Sequence, residues 1–369
     1  MVEEEGFEKK QPARRAGGPA GPKPDTLSGE PPGQRRVLST DPPVFETLLE
    51  QVRGLITPIS IFYVRNHFPT PRVDVDAWRL RIEGTAIERA LELSYEDILG
   101  LPSRSQINWL ECAGNGRLFF ALFGGRPAPG VQWRSGGVSA GEWTGVPLGE
   151  VLARAGVKTG AVDVLLEGLD EGRVGRPIPL SVAMDPATIL AYGLNGEPLP
   201  ADHGFPLRAI IPGWASISCI KWLGRIVVED RPVKTRYNTE DYVMNGPEFP
   251  GTPPITRQNI KSVVALPWGS TLPAGRHTIR GFAWSATGRI ARVEYSLDGG
   301  KAWARARLAE PNIPFLWVRW EFVWQAAPGE HTITTRATDE KGNTQPDSAV
   351  WNEQGYLYNA AVPHPVKVV

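Results

Sequence analysis

Glu111-Cys112-Ala113-Gly114-Asn115 is the stretch on which the reading of this chain turns. It holds one of only two cysteines among 369 residues. An apolar run, Ile107 to Leu110, leads into it, and a glycine-rich turn follows. The pattern predicts a strand that delivers a thiol into a loop able to approach a ligand closely. Such a thiol can serve as a nucleophile, a redox group or a soft metal ligand. The residues around it have to decide between these.

Working outward, composition excludes several classes. Lysine plus arginine and aspartate plus glutamate both number 40, so the net charge is zero. A neutral chain does not advertise nucleic acid or an anionic membrane as its partner, and any charge-based function must be local. No segment approaches the roughly 18 continuous apolar residues that span a bilayer. The second cysteine, Cys219, could pair with Cys112, but two cysteines this far apart make no disulfide framework. Arg14-Arg15 invites a twin-arginine export reading. The following Ala16-Gly17-Gly18-Pro19 lacks an apolar h-region, so the expectation is a cytoplasmic protein, with the periplasm left open.

Residues 1–40 read as a disordered polar tail. Residues 41–248 read as an α+β domain of short strands and long ordered loops. Predicted strands include Ile61 to Val64, Trp78 to Gly84, Val162 to Leu166, Pro206 to Ile211 and Lys221 to Val228. Short helices are predicted from Ser94, as N-cap with Asp97 at N3, and over Leu148 to Ala155. A Pro- and Gly-rich stretch near residues 245–255 marks a linker. Residues 249–369 then read as an all-β, immunoglobulin-like sandwich. Its strongest signal is the hairpin of Arg292 to Leu297, Asp298-Gly299-Gly300 and the strand near Trp303.

Four clusters carry candidate chemistry: Val64-Arg65-Asn66-His67, Cys112 to Arg117, His203 to Arg208 and Cys219-Ile220-Lys221. Each alone has a structural reading, as a self-bonded turn, a small buried thiol or a solvated edge lysine. Together they place cationic and hydrogen-bonding groups at the ends of apolar strands. Arginine and histidine donors suit a phosphate or a polar heterocycle, and a nearby thiolate suits a soft metal.

With these motifs in hand, the chain resembles the sulfite oxidase family of molybdopterin enzymes. The resemblance runs through Tyr63 to His67, Glu111 to Asn115, Gly168-Leu169-Asp170, His203 to Arg208, Pro212-Gly213 and Lys221 to Arg225. It continues in Gly281 to Ser285 and Tyr295 to Gly300. It implies an α+β molybdopterin-binding domain of the sulfite oxidase type, followed by a dimerisation domain and hence a homodimer. It implies molybdopterin and molybdenum as cofactors, with Cys112 as the protein's metal ligand. Tyr63, Val64, Arg65, Asn66, His67, Asp170, His203, Arg208, Cys219, Ile220 and Lys221 would contact the pterin or its phosphate. Arg65, Arg117 and Arg319 would gather a small oxyanion such as sulfite, and Asp241-Tyr242 would place a tyrosine hydroxyl near the metal.

The implied reaction is oxidation of sulfite to sulfate. No haem-attachment Cys-x-x-Cys-His occurs, so no haem is expected. Two electrons would pass to an external acceptor such as a cytochrome c. The animal and plant members carry two arginines after the asparagine, where this chain has Gly116-Arg117, as bacterial members do. Rival readings are a sulfane dehydrogenase subunit, a methionine-sulfoxide reductase, a nitrate reductase and a binding protein that has lost its metal. The second domain argues against the reductase acting on methionine sulfoxide. The missing haem and flavin regions argue against nitrate reductase.

Overall fold

Short strands divided by proline and glycine must find partners far along the chain, and among the described residues they do so in five sheets. The structure is a computed structural model and describes residues 34–369. The Arg14-Arg15 pair, and the tail reading over residues 1–33, lie outside the described residues. The expected tail ended too late, because Arg36–Thr40 is already a strand. It pairs antiparallel with Pro43–Glu46. Arg36 is held by a buried ion pair, 2.7 Å to Glu46.

Three sheets build the first part. Arg36–Thr40, Pro43–Glu46 and Val64–Arg65 form one. The second runs Glu197–Pro198, Ile189–Leu194, Val138–Pro147, Arg104–Glu111, with Arg208–Ile210 also on Ile189–Leu194. The third runs Leu91–Leu93, Leu80–Glu83, Leu223–Glu229, Asp163–Gly168, Gly175–Pro179. Their inward side chains share one apolar core that includes Trp143, Leu166, Ile210 and Ile226. The Ser94 capping box forms as expected and starts helix Tyr95–Leu99. Leu148–Ala155 is helical and buries Leu148, Val151, Leu152 and Ala155.

Three expectations shift in ways that matter for the site. Ile61 to Val64 is not one strand. A 3-10 turn spans Ile59–Ile61 after Pro58, and only Val64–Arg65 pairs. The strand expected from Pro206 begins at Arg208, since proline has no N–H to give a ladder. The strand expected from Lys221 begins at Leu223. Trp222 sits just before it at φ 50°, a left-handed residue that turns Lys221 off the sheet.

The second part is strand throughout its ordered elements. One sheet runs Lys261–Val264, Gly275–Trp284, Val318–Ala326, Arg307–Leu308. The other runs Ser270–Leu272, His364–Val368, Gly329–Asp339, Ile290–Ser296, Ala304–Arg305. The predicted hairpin is present, with Glu294 opposite Arg305. Gly299 and Gly300 take φ 74° and 89° at its turn, which a residue with a Cβ adopts only at a cost. The two parts share an apolar seam of Trp109 and Val138 against Phe282, Trp284 and Trp317. Truncating a buried tryptophan there would cost about 3–5 kcal/mol.

Candidate active site

Loops from the first three sheets meet in one cavity. Strand Val64–Arg65 brings Tyr63 to His67 to its wall. Strand Arg104–Glu111 ends at Cys112. The loop after Asp163–Gly168 brings Asp170, and the turns flanking Arg208–Ile210 bring His203, Arg208 and Cys219 to Trp222. Every residue that the resemblance assigned to cofactor contact therefore lies on one wall. Both cysteines are free and buried, so no Cys112–Cys219 bridge forms. Cys219 Sγ instead accepts from the Ile211 N–H at 3.4 Å.

Cys112 is held by its turn. Its N–H donates to Gly137 O at 2.8 Å, and its carbonyl accepts from Asn115 N at 2.9 Å. Gly116 follows at φ 90° and starts helix Arg117–Gly124. A Cβ there would meet the Tyr358 ring at 3.1 Å. That accounts for glycine, not arginine, at this position in this chain.

The cavity is electropositive. Lys221 Nζ donates to Asp202 O at 2.9 Å and to Asn66 Oδ1. Burial, with Arg208 beside it, holds the Lys221 ammonium well below the usual lysine range, although Asp202 opposes this. Arg208 stands 5.3 Å from the centre of the Trp143 ring and donates to His203 O at 3.2 Å. Burial and then the charge of Arg208 push His203 well below the ordinary histidine value. His67 is pushed down in the same way, by burial and then Arg65. Both imidazoles are thus neutral and able to donate and accept at once. His67 Nε2 lies 2.7 Å from Tyr242 Oη. Burial raises the Tyr242 hydroxyl well above its ordinary pKa, so it stays protonated.

Three predicted catalytic residues are elsewhere. Arg117 is buried beside the cavity but not on its wall. Its Nε donates to Gln354 O at 2.9 Å, and its guanidinium stands 5.0 Å from the Tyr356 ring centre. Tyr356 in turn stacks on Tyr242 at 5.1 Å and 16°, so Arg117 reaches the cavity through two aromatic rings. Asp241 points away and pairs with Arg236 at 2.8 Å. Arg319 lies on strand Val318–Ala326, between the buried Val318 and Trp320. Alternation along the strand puts it on the face of its partner Phe282, toward the first part of the chain. There its half-buried side chain donates from Nη1 to Arg53 O at 3.5 Å.

Sequence reasoning missed Tyr237, Tyr356 and Arg176. Tyr237 packs on the other side of the His67 ring at 5.7 Å. Arg176 is buried, has no carboxylate partner among the described residues and donates to the carbonyls of Tyr237 and Ile255. Ile255 N donates to Tyr242 O at 2.8 Å. Arg176 thereby secures the loop that presents Tyr242. Nothing in Gly175-Arg176-Pro177 signals this. Asp202, next to His203, was within reach of the motif reading.

The cavity fits a phosphorylated pterin. Arg208 Nε is buried without a hydrogen-bond partner among the described residues. Buried polar atoms without partners are unusual unless a ligand completes them. Arg65, Arg208 and Lys221 outnumber Asp170 and Asp202 on the wall, which suits a phosphate. Among the described residues no group of three or more His, Cys, Asp or Glu could hold a metal. A metal beside Cys112 would therefore need most of its ligands from a cofactor.

Residues 67–237 match the oxidoreductase molybdopterin binding domain, and residues 252–368 match the Mo-co oxidoreductase dimerisation domain. Sulfite oxidase of Gallus gallus is 35% identical over 369 aligned positions, covering 91% of this chain and 79% of that protein. This chain belongs to the sulfite oxidase family. Mitochondrial sulfite oxidase of Homo sapiens is 36% identical, covering 88% of this chain and 63% of that protein. The chain thus spans less than two thirds of the length of the mitochondrial relatives. The sulfane dehydrogenase SoxCD from Paracoccus pantotrophus superposes with a TM-score of 0.81 at 29% identity. That match covers 97% of this chain and 95% of the other. No helix among the described residues is long and apolar enough to cross a membrane.

Proposed function

We propose that this protein is a molybdenum-dependent oxidoreductase that converts sulfite to sulfate and passes two electrons to a separate acceptor. The observation that carries the reading is the buried Cys112 thiol on a cavity lined by Arg65, Arg208 and Lys221, while the other thiol there, Cys219, accepts from the Ile211 N–H. Molybdopterin, when bound, supplies the redox centre and the oxygen transfer. Overall, sulfite and one water give sulfate, two electrons from the sulfur and two protons from the water.

The chain's own residues do the rest. Lys221, Arg208 and the neutral His203 would hold the phosphate and pterin edge. Cys112 would supply the protein's thiolate to the metal. Arg65 is the wall guanidinium left to bind the oxyanion, which it can grip at two points. Tyr242 Oη, held by its hydrogen bond to His67, stands ready to hydrogen-bond the substrate. Much of the wall, including Tyr63, Asn66, Cys112, His203 and Arg208, is buried, which strengthens these contacts.

A sulfane substrate is the second reading, favoured by the superposition on SoxCD. The two-sheet second domain is read as an immunoglobulin-like sandwich that pairs two copies of the chain. A small cytochrome would suit as the acceptor. The deciding experiment uses molybdenum-loaded protein with an artificial acceptor and compares sulfite with thiosulfate. Sulfite-dependent reduction with no thiosulfate response supports the reading. The reverse pattern gives the role to sulfane sulfur.

A further inference from the structure

Glu111 directly precedes Cys112 and is completely buried. A carboxylate in such a place persists only when charge and hydrogen bonds compensate it. One of those bonds is local, from Asn115 Nδ2 to Oε1 at 2.8 Å. The others come from the second domain. Lys261 Nζ lies 2.5 Å from Oε1, and Trp284 Nε1 donates to Oε2 at 2.8 Å. Gln258 Nε2 donates to the Glu111 carbonyl at 2.8 Å.

Lys261 also reaches past the thiol. Its Nζ donates to Asn115 O at 3.1 Å. One ammonium therefore ties together both ends of the turn that contains Cys112. Lys261 and Trp284 are themselves direct cross-strand partners, so the two donors are set at a fixed separation by a paired sheet. None of Glu111, Lys261 and Trp284 lines the cavity. They reach the site through the Cys112 turn and through the backbone bridge of Glu111 to Ala215, which precedes the wall residue Ser216.

We infer that Glu111 is a positioning residue: through it the Lys261–Trp284 pair of the second domain fixes where the Cys112 thiol points in the cavity. The second domain is thus part of the site's construction as well as a surface for pairing. The inference rests on the molybdenum-ligand reading of Cys112 only for its effect on the metal.

The test is the full-length Glu111→Gln/Lys261→Met variant, which removes both buried charges together. In cofactor-free protein, the rate of Cys112 alkylation is measured, with peptide mapping to score Cys219 separately. The expected result is a rise of about tenfold at Cys112, the scale of one lost charge-assisted bond, with Cys219 unchanged. In molybdenum-loaded protein, the g-values of the Mo(V) resonance should shift, and kcat should fall with little change in KM. An unchanged Cys112 rate and an unchanged resonance overturn the inference. Should the double variant not fold, Trp284→Phe removes a single donor and keeps the ring. A smaller rise at Cys112 is then expected, and none overturns the inference. If the unaltered protein holds no molybdenum, the metal reading fails while the alkylation arm still decides the clamp.

Discussion

Tyr242→Phe isolates one contact. The hydroxyl makes a hydrogen bond to His67 Nε2 at 2.7 Å. The ring's stack on Tyr356 and the Ile255 N–H bond to its carbonyl involve other atoms and stay. The fold should therefore survive, while His67 keeps a buried nitrogen with no partner. Leaving such a group unsatisfied costs about 1–3 kcal/mol. If the hydroxyl also serves the substrate in the transition state, the same range appears as a fall of about 10- to 100-fold in kcat/KM. The assay is sulfite-dependent reduction of an artificial acceptor by loaded enzyme, with far-ultraviolet circular dichroism as the folding control. A variant that folds and keeps kcat/KM within about twofold of the parent refutes a role for this hydroxyl in turnover.

Arg65→Gln should raise KM for sulfite by about tenfold or more, since a charge-assisted contact to the anion is lost; an unchanged KM would remove Arg65 from the substrate pocket. Cys112→Ser should abolish turnover while much of the pterin stays bound, measured by pterin fluorescence after release, and full activity would remove the thiol from the metal site. His364 is buried, and that burial lowers its pKa from 6.5 to about 4. The unfolded chain takes up this proton near pH 6.5 and the folded chain only near pH 4, so stability present above pH 6.5 is lost as pH falls across that window. The loss amounts to about 3 kcal/mol for this one group, and His364→Gln should flatten that part of a urea-midpoint profile; a slope identical to the parent's would refute the assignment.

Much of this was legible in the sequence, for identifiable reasons. The Ser94–Asp97 box and the Asp298-Gly299-Gly300 turn are local, so their chemistry sits within a few residues and reads directly. The cavity wall was legible because each cluster falls where an apolar strand gives out. Lys221 was placed on a strand because alternation cannot reveal a left-handed residue such as Trp222. Arg319 and Asp241 were misplaced because sequence does not show which way a side chain leaves its strand or loop. Arg176, Tyr356 and the partners of Glu111 were invisible for a deeper reason. Their contacts join residues far apart in sequence, and an isolated arginine or lysine looks like a solvated one until its surroundings are known.

The Tyr356 stack has a consequence for how the protein is made. Tyr242 rests on a ring that lies near the very end of the chain, and the Leu357 N–H closes onto Ala113 O at 2.8 Å. The pocket's backing thus leaves the ribosome long after the Cys112 turn and the cationic loops. A nascent chain already holding Cys112 and the cationic loops would still lack that backing. A chain cut short before Gln354 would present an open, unfinished basin.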